Sequence, residues 1–172
     1  ILFPQASLIN PVDVAGSTDD NPALFSSCIE ILVADENVDM VFLVGMFGGY
    51  GIRFAEELKP VELTTAKSIV NLSKRTDKPL VVYSLYASIK PEPLLLLRNG
   101  GIPVYDSIEH AVQVIAALGE RGDYIHRCKT AEIQHPLRAD PEVCAVFQRA
   151  QREGRDLFEF EAKSMLSQYG ID

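Results

Sequence analysis

Met40-Val41-Phe42-Leu43-Val44-Gly45-Met46-Phe47-Gly48-Gly49-Tyr50-Gly51 runs an apolar segment of strand length straight into a glycine-rich turn. Continuous Val/Leu/Phe runs are what strands buried on both faces look like, and residues without a Cβ let the following backbone N–H groups approach an anion closely. If a helix begins at the turn, its unpaired amides and positive dipole end face that anion. Read alone, the stretch is equally a strand–helix corner that holds no ligand. It contains neither a complete Walker A loop nor a GxGxxG fingerprint.

Working outward, Lys78-Pro79 breaks the preceding helical pattern, and Leu80 to Leu85 is a second buried-strand run. Ile102-Pro103-Val104-Tyr105 is a third, short one; Pro103 places it at an edge or a strand start, because proline cannot donate to a ladder. Helical patterns alternate with these strands. Asp20 or Asn21 caps a helix with Pro22 in its first turn and Leu24, Phe25, Cys28, Ile31 and Leu32 on one face. Val61 to Arg75 reads as a helix with Leu63, Ala66, Ile69 and Val70 inward. The Leu94 to Leu97 segment is entered through Pro91 and Pro93 and closed by Gly100-Gly101, and Ser107 caps a helix with Ile108, Ala111, Val112, Ile115 and Ala116 on one face. Alternating strands and helices specify an α/β domain with parallel crossovers and helices on both faces of the sheet. Three strands are few for such a sheet, so the domain reads as lacking its first strands, and both chain ends read as cut.

From Arg121 the character changes. Polar residues dominate up to a helix from about Asp140 to Arg152, so residues 121–154 read as a linker. A last amphipathic helix follows Gly154-Arg155-Asp156, with Phe158, Ala162, Met165, Leu166 and Tyr169 along one side.

The chain has 172 residues, 47% of them hydrophobic, which is enough for one core plus a small second unit. Sixteen basic against twenty-four acidic side chains leave a net charge of -8, which opposes nonspecific binding to nucleic acid or anionic membrane. No apolar run is long enough to span a bilayer and no leader pattern opens the sequence, so a cytoplasmic location is the default expectation. Cys28, Cys128 and Cys144 are widely spaced and lack a CxxC pair, so they read as reduced thiols, two of them internal.

None of His110, His126 and His135 sits in a Ser-His-Asp order, an HExxH helix or a metal-spaced cluster, so surface or structural roles account for them and no metal site is expected. Asn10 and Asp13, with Asp19 nearby, flank a small-residue segment where they can orient a polar ligand or simply form an Asx turn and a helix cap. Arg53, Glu56 and Glu57 beyond the glycines fit either a site or a solvated helix end.

The order of these features carries a resemblance. Asn10-Pro11-Val12-Asp13-Val14-Ala15-Gly16, Ala34-Asp35-Glu36-Asn37-Val38-Asp39, Met46-Phe47-Gly48-Gly49, Lys78-Pro79-Leu80-Val81-Val82 and Gly101-Ile102-Pro103-Val104-Tyr105 together resemble the ligase-CoA domain of NDP-forming acyl-CoA synthetases, over residues 1–120. The stretch from Gly154-Arg155-Asp156-Leu157-Phe158 to Tyr169-Gly170-Ile171 is similar to the opening helix of the ATP-grasp domain that follows in fused members, which assigns it to residues 155–172.

The resemblance implies a flavodoxin-like, three-layer domain with a mostly parallel sheet. It implies a ligase that converts a carboxylic acid, CoA and ATP with Mg2+ to acyl-CoA, ADP and phosphate through an acyl phosphate and a phosphohistidine. Carried over, Gly48, Gly49, Tyr50 and Gly51 would cradle the phosphoryl group at a helix N-terminus. The family's phosphohistidine lies in a Ser-His-Thr-Gly context that is absent from this sequence, as is its CoA-binding Rossmann domain. The resemblance therefore implies a segment that is inactive and binds no cofactor alone, that works with the CoA-binding, phosphohistidine and ATP-grasp domains of one enzyme, and that belongs to an oligomer. Two other readings stand beside it: a noncatalytic module that senses phosphate or nucleotide, and an acyl-CoA-synthetase-like region of a protein acetyltransferase. A response-regulator receiver would need an acidic pair at one strand end and a phosphorylatable Asp at the next, and the strands read here do not show that pattern.

Overall fold

The structure, a computed structural model, describes residues 2–130 and 140–171. Its elements in chain order are α1 (Leu24–Ala34), β1 (Val41–Gly45), α2 (Tyr50–Arg53), α3 (Lys59–Ser73), β2 (Leu80–Ser84), α4 (Glu92–Asn99), β3 (Val104–Tyr105), α5 (Ile108–Thr130), α6 (Pro141–Glu153) and α7 (Glu159–Gln168). Single 3-10 turns at Glu56–Leu58 and Ala87–Ile89 join some of them. The strands form one parallel sheet in the order β1-β2-β3, with Val41 opposite Leu80, Gly45 opposite Ser84 and Val82 opposite Val104. This is an α/β architecture, and no described helix is long and apolar enough to cross a membrane. The chain divides into two compact units, Ile1–Asp123 and Tyr124–Asp172.

In the first unit one face of the sheet makes the core. Val41, Leu80, Val82 and Val104 pack with Phe25 and Ile29 of α1, Ala66, Ile69 and Val70 of α3, and Leu94 and Leu97 of α4. Each fully buried aliphatic or aromatic side chain contributes about 1.5–3 kcal/mol through the water it sheds. The α1 stripe differs from the sequence expectation. Phe25 and Ile29 point inward and Ile31 outward, because at 100° per residue the core-facing set is 25, 29, 32 and 33. Asn21 does not cap α1, whose N-cap is Ala23 with no side-chain hydrogen bond and which leaves Pro22 outside the helix; instead Asn21 shapes the turn just before it, its carboxamide oxygen accepting from the Ala23 amide at 3.2 Å and its carbonyl from the Leu24 amide at 3.1 Å. Gly100 closes α4 and Ser107 opens α5, where its hydroxyl accepts from the His110 amide.

The composition change at Arg121 does not end a helix. α5 continues through Gly122 to Thr130, with most of its surface exposed, so a polar stretch that looked like a linker is in part regular helix. In the second unit Asp140 caps α6 by accepting from the Glu142 amide at 2.7 Å, and Gly154 ends it at φ +65°, a left-handed conformation suited to glycine. Arg155 then makes a two-pronged ion pair with Glu161 of α7, at 2.8 and 3.0 Å, while its guanidinium lies 4.1 Å from the centre of the Phe158 ring. Of the predicted α7 stripe, Phe158, Leu166 and Tyr169 are exposed and Ala162 and Met165 half-buried.

Candidate functional site

The corner after β1 is the most heavily constrained part of the molecule. Residues 47–51 are all buried, although a turn of this composition is ordinarily solvated. A helix does begin there, as the glycines suggest, but α2 is only four residues long, with Gly49 in the capping position.

Contacts from α1, from the end of β2 and from the segment before α1 hold the corner. Phe47 is buried under the Phe25 ring, edge to face at 5.5 Å between centroids, and Phe25 also meets Tyr50 at 5.8 Å. The carbonyl of Phe47 accepts a 2.7 Å hydrogen bond from the buried Ser84 hydroxyl at the end of β2. The Tyr50 phenol and the Thr18 hydroxyl form a buried 2.8 Å hydrogen bond that ties the irregular segment before α1 to the corner. Burial pushes the Tyr50 phenol up, the Thr18 hydroxyl opposes that shift, and the charges of Asp19 and Glu62 add to it.

The glycines are required by close approach. At Gly48, with φ +91°, a Cβ would lie 2.5 Å from the Leu94 Cγ; at Gly49 it would lie 2.1 Å from the Tyr86 ring. A side chain at either position would collide with core atoms.

The decisive group is Glu62, on the first turns of α3 and only 1% exposed. Its Oε1 accepts from the Gly48 amide at 2.7 Å and the Tyr50 amide at 3.1 Å, and its Oε2 accepts from the Gly51 amide at 3.0 Å. The corner is thus an anion-binding arrangement whose anion is the protein's own carboxylate. A buried carboxylate is tolerable here because three oriented N–H dipoles replace its lost hydration.

This corrects the expected role of Gly48, Gly49, Tyr50 and Gly51 as a phosphate cradle. Three of the four amides are donated to Glu62, and that of Gly49 is donated to the Met46 carbonyl at 2.8 Å. The next two, of Ile52 and Arg53, go to the Gly49 carbonyl. None of the amides of Gly48, Gly49, Tyr50 and Gly51 is left for an incoming phosphate in the observed arrangement.

Other candidates fall elsewhere. Asp13 is exposed and its carboxylate accepts from the Ala15 amide at 2.9 Å, the Asx-turn alternative; Asn10 is exposed too. Among the described residues, neither hydrogen-bonds or ion-pairs to the glycine corner. Glu56 pairs with Lys59 at 2.8 Å on the exposed surface, which holds its carboxyl below the usual range and fits the solvated reading. His110 and His126 are exposed on α5, and His135 lies outside the described residues. Among the described residues no group of three or more His, Cys, Asp or Glu is placed to hold a metal ion. Cys28 and Cys144 are half-buried and Cys128 exposed; all are free thiols, and burial pushes that of Cys28 up.

Glu62, Ser84, Thr18 and Tyr86 escaped the sequence reading. Only Glu62 left a trace: it stands four residues before Ala66 and seven before Ile69, so a carboxylate lies in the stripe that helical spacing sends to the core. No protein-family model matches the chain, and no curated protein is found that matches it.

Proposed function

We propose that the chain is a flavodoxin-like ligase-CoA segment of an ADP-forming acyl-CoA synthetase, followed by the opening helix of an ATP-grasp domain. What supports this reading is one observation. The stretches that carry the resemblance fall on the strand ends and corners of one parallel sheet, in chain order: Met46 to Gly49 after β1, Lys78-Pro79 before β2, and Gly101 to Pro103 before β3. In this proposal the segment forms one wall of a site completed by the phosphohistidine, CoA-binding and ATP-grasp domains.

The role of the glycine corner changes within it. Its amides hold Glu62, so it serves by rigidity: a preorganised wall costs nothing to reorganise when charge arrives next to it. Direct stabilisation of the phosphoryl group falls to groups other than the amides of Gly48, Tyr50 and Gly51.

The test is an assay on the polypeptide that carries this segment with its neighbouring domains. With ATP, Mg2+, CoA and a panel of short carboxylic acids, continuous release of ADP and phosphate should require both acid and CoA, whereas ATP alone should give an acid-labile phosphoenzyme and no more than one equivalent of ADP per site. Absence of both the phosphoenzyme and acid-dependent ADP release overturns the proposal.

A further inference from the structure

The cap of α4 forces a glycine to follow an exposed asparagine. The Gly101 amide donates to the Arg98 carbonyl at 3.0 Å and the Ile102 amide to the Leu97 carbonyl at 3.0 Å, with Gly101 at φ +90°, which is the Schellman arrangement. Leu97 and Ile102, the apolar pair that accompanies such a cap, are both buried in the core. At Gly100 a Cβ would lie 2.5 and 2.7 Å from the two Val70 methyl carbons of α3. The packing of α3 on α4 thus dictates the residue after Asn99, which is itself exposed at the end of α4.

A backbone nitrogen attacks the preceding asparagine side chain most readily when its own residue is glycine, because no Cβ shields it. Of the five asparagines, Asn10 and Asn21 precede proline, which has no N–H to lose, and Asn37 and Asn71 precede Val38 and Leu72; Asn99 alone precedes glycine. Water is the one co-reactant needed. The Gly100 nitrogen loses its proton and bonds to the Asn99 Cγ, the Cγ–Nδ2 bond breaks and ammonia leaves, giving a five-membered imide. Water then opens the ring at either carbonyl, to aspartate or to isoaspartate.

The cap opposes the first step. The Gly100 N–H, whose proton must leave, donates to the Leu96 and Leu97 carbonyls at 2.9 and 3.1 Å. Ring closure also needs Cβ and the Gly100 nitrogen nearly eclipsed about the Asn99 Cα–C bond, and a helical ψ keeps them apart.

We propose that Asn99–Gly100 is a site of spontaneous deamidation and backbone isomerisation, gated by opening of the α4 cap. Isoaspartate inserts a methylene into the main chain just before Gly100, so the Schellman bonds and the approach to Val70 lose their register. The two-residue β3 follows directly, with the Pro103 carbonyl accepting from the Val82 amide at 3.0 Å, and this pairing loosens with the cap. Aspartate instead places a negative charge at the negative end of the helix dipole. Either product adds one negative charge to a chain whose net charge is -8, so ion exchange separates it from the parent.

The full chain is incubated in mildly alkaline buffer at physiological temperature, native or in guanidinium chloride, and followed by mass spectrometry of proteolytic peptides. The gain of one dalton, or of three in heavy-oxygen water, should fall on Asn99 ahead of the other four asparagines. Methyl transfer from S-adenosylmethionine by a protein-isoaspartate methyltransferase should label the same position. The native chain should react about tenfold more slowly than the denatured one, since local opening must come first. In Gly101→Ala the new Cβ meets no atom within 4 Å but the left-handed position is strained, so the native reaction should speed up about fivefold while the denatured rate stays close to the parent's.

Earlier conversion at another asparagine, equal rates in the native and denatured chains, or a native rate unmoved by Gly101→Ala overturns the proposal. So does a native chain that keeps its Asn99 carboxamide through about a hundred half-lives of the denatured one.

Discussion

Oε1 of Glu62 lies 2.7 Å from the amide nitrogen of Gly48, fourteen residues back along the chain, and this contact closes the corner after β1 onto α3. Glu62→Ala would leave three buried N–H groups unpaired, and at about 1–3 kcal/mol for each orphaned donor the loss should reach about 3–5 kcal/mol after partial relaxation. Glu62→Gln keeps an acceptor for Gly48 and Tyr50 but turns an NH2 group toward the Gly51 amide, so about 1–3 kcal/mol is expected. Urea denaturation measures both. A change below about 0.5 kcal/mol in Glu62→Ala would remove the clamp from the account of this fold.

Gly49 and Tyr86 should be coupled. A Cβ at position 49 meets the Tyr86 ring at 2.1 Å, and this overlap with a half-buried ring should cost Gly49→Ala about 1–3 kcal/mol. Tyr86→Ala opens the space, so Gly49→Ala placed on it should cost markedly less. Strict additivity in the double-mutant cycle would show that the collision is relieved some other way.

The Thr18–Tyr50 pair should show the asymmetry of buried hydroxyls. Tyr50→Phe strands the Thr18 hydroxyl and should cost about 1–2 kcal/mol, whereas adding Thr18→Val should recover part of that loss, since both partners are then apolar. Equal losses in the single and double variants by thermal melting would contradict this.

The strands were legible because a run such as Val41 to Val44 is apolar throughout, and α4 because Pro91, Pro93 and Gly100 punctuate it; here local chemistry and tertiary packing agree. Ile29 and Ile31 show where periodicity alone fails, since two isoleucines two residues apart face opposite ways and only the phase of the stripe separates them. The anion-binding character of the corner was legible in its glycines. The identity of the anion was not, because Glu62 lies eleven to fourteen residues away and meets the corner only through the tertiary fold. The helical continuation past Arg121 was hidden by its polar composition, which resembles that of a linker.

Within α5, Gly119 and Gly122 lie in regular helix, and a Cβ at either meets nothing within 4 Å. Gly119→Ala and Gly122→Ala should therefore each stabilise α5 by about 0.5–1 kcal/mol, through the lower backbone entropy of alanine in the unfolded chain. A rise in helical circular dichroism and in melting temperature is expected; a fall would mean that these positions are in contact when the protein is in solution.

Acid should loosen the second unit at the start of α7. The Arg155 guanidinium, together with the Phe158 amide that donates to Glu161 at 2.9 Å, holds the Glu161 carboxyl down at about 2, against an ordinary value of 4.5. A carboxyl whose value is depressed in the folded state contributes stability that is complete above the unfolded value and is lost as pH falls through the folded one. The contribution should thus persist at neutral pH, decline from about 4.5 and vanish near 2. A side-chain carboxyl titration by NMR should place Glu161 well below the other glutamates, and Arg155→Gln should return it toward 4.5 while flattening the acid limb of the melting curve. An unshifted Glu161, or an acid limb unchanged in Arg155→Gln, would show that the ion pair does not hold the turn between α6 and α7.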